Sequence, residues 1–336
     1  MDGALRIFLA HNPEDREVYY GRALAHLKAL GEVRFNPLDR DLTTAEFVEA
    51  AKGCQIIVSH RSPPAEAALF DGLPELMAYF RCALDVRTVD IAAASRNGVL
   101  VANAGISFID ATAEMALALM LAVCRDVVES TVEYRAGRVP PSNMGLQLAG
   151  STAGVIGFGA VGSRLAEILV SLGMKVLVSD PFKTIDRPGM IQVDLDTLLR
   201  ESDFVLPLAI ANETTENLIG AREIALMKKG VVFVNVSRGN LIDEAALEAA
   251  YRSGHIAKLA LDVGRAADQR PSPQLASLPG VAATPHLGGL TPANADAQAM
   301  SSVEQTRAVL AGRMPERALN ADCAVRLKEF WKNRRP

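Results

Sequence analysis

Three residues with reactive side chains each end an apolar run, where a parallel sheet would present them to a ligand. His286 stands in "VAATPHLGG", framed by Pro285 and a pair of glycines. Arg238 stands in "VVFVNVSRGN", just past five apolar or small residues and just before Gly239. Asp262 ends "IAKLALD", and Asp268 follows it in the turn-rich stretch "LDVGRAADQRPSP". An imidazole can exchange a proton with a reacting oxygen near neutral pH. A guanidinium can grip a carboxylate through two parallel hydrogen bonds. Of the other histidines, His26 and His255 read as structural or exposed, whereas His11 and His60 follow strands and could face a ligand.

A second constellation fixes what could sit beside these groups. In "AGVIGFGAVG", Gly157, Gly159 and Gly162 have the spacing G-x-G-x-x-G directly after an apolar run and before a helical pattern. The first glycine permits a tight turn, the second lets backbone approach a pyrophosphate, and the third lets helix and strand pack closely. The anion then meets the unpaired N–H groups of the helix N-terminus. Asp180 ends the next strand, "KVLVS", about 20 residues on, where an acid accepts hydrogen bonds from an adenosine ribose. It would repel a 2′-phosphate by roughly 1 kcal/mol in water and ~4 kcal/mol at an effective dielectric of 20. The expected cofactor is therefore NAD rather than NADP, with Lys183 as a partial offset.

The elements that must position these groups are read from periodicity. "LRIFLA", "EVRF", "QIIVS", "LMAYFRC" and "GVLVAN" have strand character. "GRALAHLKAL" and "TTAEFVEAAKG" have helical spacing and are closed by Gly31 and Gly53. A second series runs through "KVLVSD", "DFVLPLA", "GVVFVNVS", "AKLALDV" and "VAATP". Alternating strands and helices imply parallel sheets covered on both faces, so the fold class is α/β with two doubly wound units. The stretch 107–130 is expected to form one long apolar helix, buried at an interface between domains or subunits. The stretch 291–312 is expected to form a helix capped by Thr291 with Pro292 in its first turn.

Composition narrows the function classes. With 336 residues the chain has room for two cores. A net charge of −4 gives no electrostatic footprint for nucleic acid, and "WKNRRP" reads as a short solvated tail. The four cysteines have no metal-ligand spacing, which argues for free thiols in a reducing compartment and against a metal site. The N-terminal "MDGALRIFLAHNPED" lacks the pattern of a signal peptide, and the longest apolar run is about half of what a bilayer requires. A cytoplasmic protein with no membrane partner is expected.

Taken in order, "GVLVANAG" into "ATAEMALALMLAVCR", "GVIGFGAVGSRLA", "VSDP", "VVFVNVSRGNLIDEAAL", "LALDV" and "TPHLGG" resemble the D-2-hydroxyacid dehydrogenase family. The family includes phosphoglycerate dehydrogenase and the glycerate and hydroxypyruvate reductases. The match is good over about residues 98–290 and loose before them. It implies a Rossmann NAD-binding domain at 103–290, inserted into a discontinuous flavodoxin-like substrate domain made of 1–102 and 291–336. It also implies a homodimer formed largely through the cofactor domain. By position, Arg238 matches the residue that holds the substrate carboxylate, and His286 the acid/base that serves the C2 oxygen of a 2-hydroxy or 2-oxo acid. Cofactor contacts carry over onto Gly157, Gly159, Ala160, Val161, Gly162, Asp180, Ala209, Val236, Ser237, Arg238, Asp262, His286 and Gly288.

Two departures mark this chain. The family commonly has a glutamate bonded to the histidine; counting from Asp262, that position is Ala267, and no glutamate lies in "LDVGRAADQRPSP". Two arrangements are open. Either Asp268 takes the glutamate's place, which is the expectation, or no carboxylate reaches His286. In "RCALDVRTVD", Leu84 and Asp85 replace the small residues that usually cradle the substrate carboxylate, so Asp85 needs Arg87 or Arg61 to balance it. Arg61 and Ser62, leaving a strand in "SHRSPP", could read the far end of the substrate. The competing function is an NAD(H)-binding regulatory protein or sensor on the same fold; a hydrolase holding NAD has no supporting motif.

Overall fold

The computed structural model describes residues 5–333; the first four residues of the N-terminal stretch and the last three of the basic tail lie outside them. The chain divides into two compact units. One runs to Ser107 and resumes at Thr291, and the other is Phe108–Leu290. The first division falls after Ser107 rather than after residue 102. Asn103 donates to the Leu84 carbonyl and accepts from Gln305 through its own carbonyl, while Ser107 bonds Asn294, so this stretch stays with the first unit.

The first unit is built on β1 (Arg6–Leu9), β2 (Glu32–Phe35), β3 (Ile56–Ser59), β4 (Ala78–Arg81) and β5 (Leu100–Asn103). All pair in parallel in the order β2-β1-β3-β4-β5, the flavodoxin-like arrangement. Side chains alternate between two cores as a pleated strand requires. Ile7, Leu9, Ile56, Val58, Phe80 and Leu100 pack on one side with Leu27, Val303 and Leu327. Phe8, Ile57, Tyr79 and Val101 pack on the other with Phe47 and Phe70. Strands buried on both faces explain why these runs read as continuously apolar.

The second unit carries β6 (Thr152–Ile156), β7 (Lys175–Ser179), β8 (Met190–Gln192), β9 (Phe204–Pro207), β10 (Val231–Asn235), β11 (Ile256–Leu261) and β12 (Val281–Ala283). They too are all parallel, in the order β12-β11-β10-β9-β6-β7-β8. The chain moves outward from β6 through β7 and β8, then returns to the far side of β6 at β9. That reversal is the switch point at which open α/β sheets bind ligands. The short edge strand β8 was not read from the sequence.

The stretch 107–130 is not one helix. It forms Ile109–Cys124 and Val127–Arg135, separated by Asp126 in a left-handed conformation (φ 49°). The Asp126 carboxylate is drawn to Lys258, a distant partner that local periodicity cannot reveal. The first of these helices is also buried mainly within its own unit, against the helix Ala160–Ser171 and the sheet. The helix at Pro292–Leu310 begins as expected, with the Thr291 hydroxyl accepting from Asn294 N–H.

Gly53 closes its helix with φ +74°, a left-handed stop. Gly31 acts differently: a Cβ there would lie 2.2 Å from the Leu5 carbonyl oxygen, where β2 comes in beside β1. We expect Gly31→Ala to lower stability by about 1–3 kcal/mol through overpacking. Urea denaturation would show a lower midpoint, and an unchanged midpoint would contradict this account of the turn.

Candidate active site

The glycine loop divides its three tasks as the spacing requires. Gly157 follows β6 with φ +94°, and a Cβ on it would lie 2.7 Å from backbone atoms of Ala209, at the end of β9. A Cβ on Gly162 would lie 2.1 Å from the Gly157 carbonyl oxygen, so the helix packs directly on the turn. At Gly159 a Cβ would meet nothing within 4 Å. This is the open side, at the start of the helix Ala160–Ser171, where backbone N–H groups can receive an anion. Ala160 and Val161 form the first turn of that helix. The residues therefore fit a dinucleotide.

Asp180 follows β7 and accepts hydrogen bonds from the amides of Phe158 (2.8 Å) and Phe182 (2.9 Å). Phe158 also lines a cavity of about 400 Å³, together with Ser163, Lys183 and residues 184–187. Lys183 donates to the Phe158 carbonyl (2.7 Å), and Arg187 lies over the Phe158 ring.

Past the other strand ends, Asp262 is completely buried and its carboxylate accepts three hydrogen bonds. Thr284 Oγ1 and Leu287 N–H reach Oδ1 at 2.6 and 2.7 Å, and Gly288 N–H reaches Oδ2 at 2.7 Å. Its backbone carbonyl accepts from His286 N–H at 2.9 Å. The loop that carries His286 is thus wrapped around one carboxylate. A Cβ on Gly288 would lie 2.8 Å from Oδ2, which leaves no room for a larger residue. His286 itself is left-handed (φ +61°), and its Nδ1 lies 3.0 Å from the main-chain oxygen of Asp268.

Arg238 is set by Asn235, whose side chain accepts from Ser237 N–H and donates to the Arg238 carbonyl. Ser237 Oγ donates to the Pro207 carbonyl at 2.9 Å, tying the end of β10 to β9, and Val236 beside it is buried. Immediately after Arg238, a Cβ on Gly239 would lie 2.1 Å from the carbonyl carbon of Gly264. Two backbones therefore touch at a pair of glycines, and this contact brings the Arg238 turn against the loop after Asp262. Arg265 secures the same loop by pairing with Glu216 at 2.7 Å and donating to the Asn240 and Ile242 carbonyls.

Residues 117–288 match the model of the D-isomer specific 2-hydroxyacid dehydrogenase NAD-binding domain. The D-3-phosphoglycerate dehydrogenase of Archaeoglobus fulgidus is 35% identical over 272 residues, covering 79% of this chain and 52% of that protein. The hydroxypyruvate reductase of Thermotoga maritima is 32% identical over 278 residues, 81% of this chain and 88% of that one. The chain belongs to the D-2-hydroxyacid dehydrogenase family. It spans about half the length of the phosphoglycerate dehydrogenases it matches. The solved pyruvate reductase of Chlamydomonas reinhardtii, 25% identical, superposes with a TM-score of 0.80 over 94% of this chain and 98% of its own.

As a member of that family, the chain carries an NAD-binding domain in its second unit, and His286, Arg238, Asp262 and Asp268 all belong to that unit. Two features differ from a direct reading of the sequence. The Asp268 carboxylate is exposed and lies 3.8 Å from Arg270, so the residue meets His286 through its main chain instead. Asp262, expected among the cofactor contacts, has both carboxylate oxygens engaged by the loop that carries His286. Asn235, Arg265 and the glycine pair were not singled out by sequence; only the glycines at "SRGN" and "LDVG" offered a signal.

Arg61, Ser62, Leu84 and Asp85 belong to the first unit, on the loops after β3 and β4. Arg81, almost wholly buried at the end of β4, staples the two loops together. Its guanidinium donates to the carbonyls of His60, Arg61 and Asp85 and to Thr88 Oγ1. Asp85 is paired with Arg87 at 2.6 Å. Burial raises the Asp85 carboxyl, but hydrogen bonds from Arg87 outweigh it and hold the value at about 2. Among the described residues no cluster of three or more His, Cys, Asp or Glu could hold a metal ion.

His11 and His60 follow β1 and β3, the strands that flank this unit's own switch point. Their rings lie 5.6 Å apart, and His60 stacks on Tyr19. Burial, then Arg61 and Arg81, bring His60 down from 6.5 to about 4. The unfolded chain therefore takes up this proton before the folded chain does. The stability tied to neutral His60 is complete above about pH 6.5 and is lost as pH falls through about 4. We expect His60→Gln to flatten the fall of melting temperature across that interval; an equally steep fall would show that His60 does not drive it.

Proposed function

We propose that this protein is an NAD-dependent oxidoreductase that interconverts a small D-2-hydroxy acid and its 2-oxo acid. The observation that carries the reading is that the NAD loop, an arginine and a histidine follow the carboxyl ends of β6, β10 and β12 of one parallel sheet. Bound at the glycine loop, NAD supplies hydride transfer to or from substrate C2. Arg238 holds the substrate carboxylate and polarises the adjacent carbonyl. His286 gives a proton to the C2 oxygen during reduction and takes it back during oxidation. Gly159, Ala160 and Val161 receive the pyrophosphate, Asp180 the ribose, and Ala209, Val236, Ser237 and Gly288 the nicotinamide end. Asp262 keeps the histidine loop in register.

Arg61, Ser62, Leu84 and Asp85 are the candidate substrate-binding residues of the first unit. Arg87 neutralises Asp85, so that carboxylate does not oppose an anionic substrate. A homodimer is supported by apolar side chains left exposed on one stretch of the second unit, among them Val127, Val132, Tyr134 and Met144. A cytoplasmic location is supported by four free cysteines, three of them buried, and no helix among the described residues is long and apolar enough to cross a membrane. A sensor that only binds NAD(H) would have no need of a proton donor beside a carboxylate grip, which favours the enzyme.

The test is NADH consumption with a panel of 2-oxo acids, including glyoxylate, hydroxypyruvate, pyruvate and aromatic members, with NADPH alongside. Turnover is expected with at least one acid and should be several-fold poorer with NADPH. His286→Ala should lower kcat by about a hundred-fold or more. Arg238→Lys should lower kcat/KM for the acid, because an ammonium cannot reproduce the guanidinium fork. Tight NADH binding without turnover on any acid would favour the sensor.

A further inference from the structure

The contact between His286 and Asp268 uses an oxygen that no side-chain reading would select. His286 Nδ1 lies 3.0 Å from the Asp268 main-chain oxygen, while the Asp268 carboxylate is exposed and turned toward Arg270. We propose that in this chain a backbone carbonyl, held by two successive left-handed residues, orients the proton-exchanging histidine in place of a side-chain carboxylate. The proposal rests on the reading of His286 as the acid/base.

A carbonyl oxygen can only accept, so the nitrogen facing it carries hydrogen. That assigns the neutral ring to the Nδ1–H tautomer and makes Nε2 the nitrogen that serves the substrate oxygen. The acceptor is held by the loop itself. Gly264 N–H donates to the Gln269 carbonyl (2.9 Å), Ala266 N–H to that of Arg270 (3.1 Å), and Gln269 N–H to that of Ala266 (3.0 Å). A Cβ on Gly264 would lie 2.6 Å from Pro271 Cα and 2.8 Å from the Arg270 oxygen, so the loop closes on a glycine. Asp268 and Gln269 both have φ +57°. Aspartate and asparagine tolerate that region better than most side chains, and β-branched residues tolerate it worst. Asp268 is accordingly a positioning residue whose backbone conformation matters and whose charge does not.

The test uses the full chain labelled with ¹⁵N-histidine, in the wild type and in Asp268→Asn, Asp268→Gly and Asp268→Ile. Long-range ¹H–¹⁵N spectra at about pH 8, above the ordinary imidazole range, read the His286 tautomer without reference to activity. The wild type, Asp268→Asn and Asp268→Gly should show Nδ1–H, with kcat in both variants within about two-fold of wild type. Asp268→Ile should lose the tautomer preference and about ten-fold or more in kcat, with KM for NADH kept within about two-fold. An Nε2–H tautomer in the wild type would overturn the proposal, as would a ten-fold fall in kcat for Asp268→Asn. Absence of turnover on every acid would remove the functional reading, while the tautomer would still decide the geometry.

Discussion

One buried carboxylate organises the histidine loop of the second unit. Asp262 follows β11 with no exposure to water, and an isolated charge there would be costly. Three short hydrogen bonds from Thr284, Leu287 and Gly288 make the burial tolerable, and those donors are the residues flanking His286. Solvating the acid and shaping the histidine loop are thus the same set of contacts. The left-handed conformation of His286 and the absence of a Cβ at Gly288 follow from closing a short turn around that group.

The other site elements are joined by close backbone approach. Gly157 lets the end of β9 touch the end of β6, Gly162 lets the helix rest on the turn, and Gly239 with Gly264 presses the arginine turn onto the loop after β11. Contacts of this kind transmit position without adjustable side chains, so they hold groups to within small tolerances. In the first unit a buried arginine has the corresponding task, since Arg81 joins two loops by their carbonyls.

Much of this was legible in the sequence. The central strands announced themselves because both faces are buried, unlike the exposed edge strand β8, and the cofactor loop because its three glycines have distinct steric tasks at fixed spacing. Thr291 and Pro292 marked a helix start for local reasons that hold in any context. What escaped was set by distant partners or by atoms that have no letter. Asp126 at the break pairs with the distant Lys258, Arg81 joins two loops that meet only in space, and the partner of His286 is a carbonyl that any residue possesses. Asp268 was singled out for its carboxylate, whereas His286 Nδ1 lies against its main-chain oxygen.

The most direct test of this account is the steady-state behaviour of Asp262→Asn together with its NADH affinity. An amide offers one acceptor where three donors converge, leaving at least one buried N–H or O–H unsatisfied at a cost of about 1–3 kcal/mol. If Asp262 works by holding the histidine loop, kcat should fall about ten-fold or more while the dissociation constant for NADH changes by less than about three-fold. Loss of NADH binding with kcat intact at saturation would contradict the account and make Asp262 a cofactor ligand.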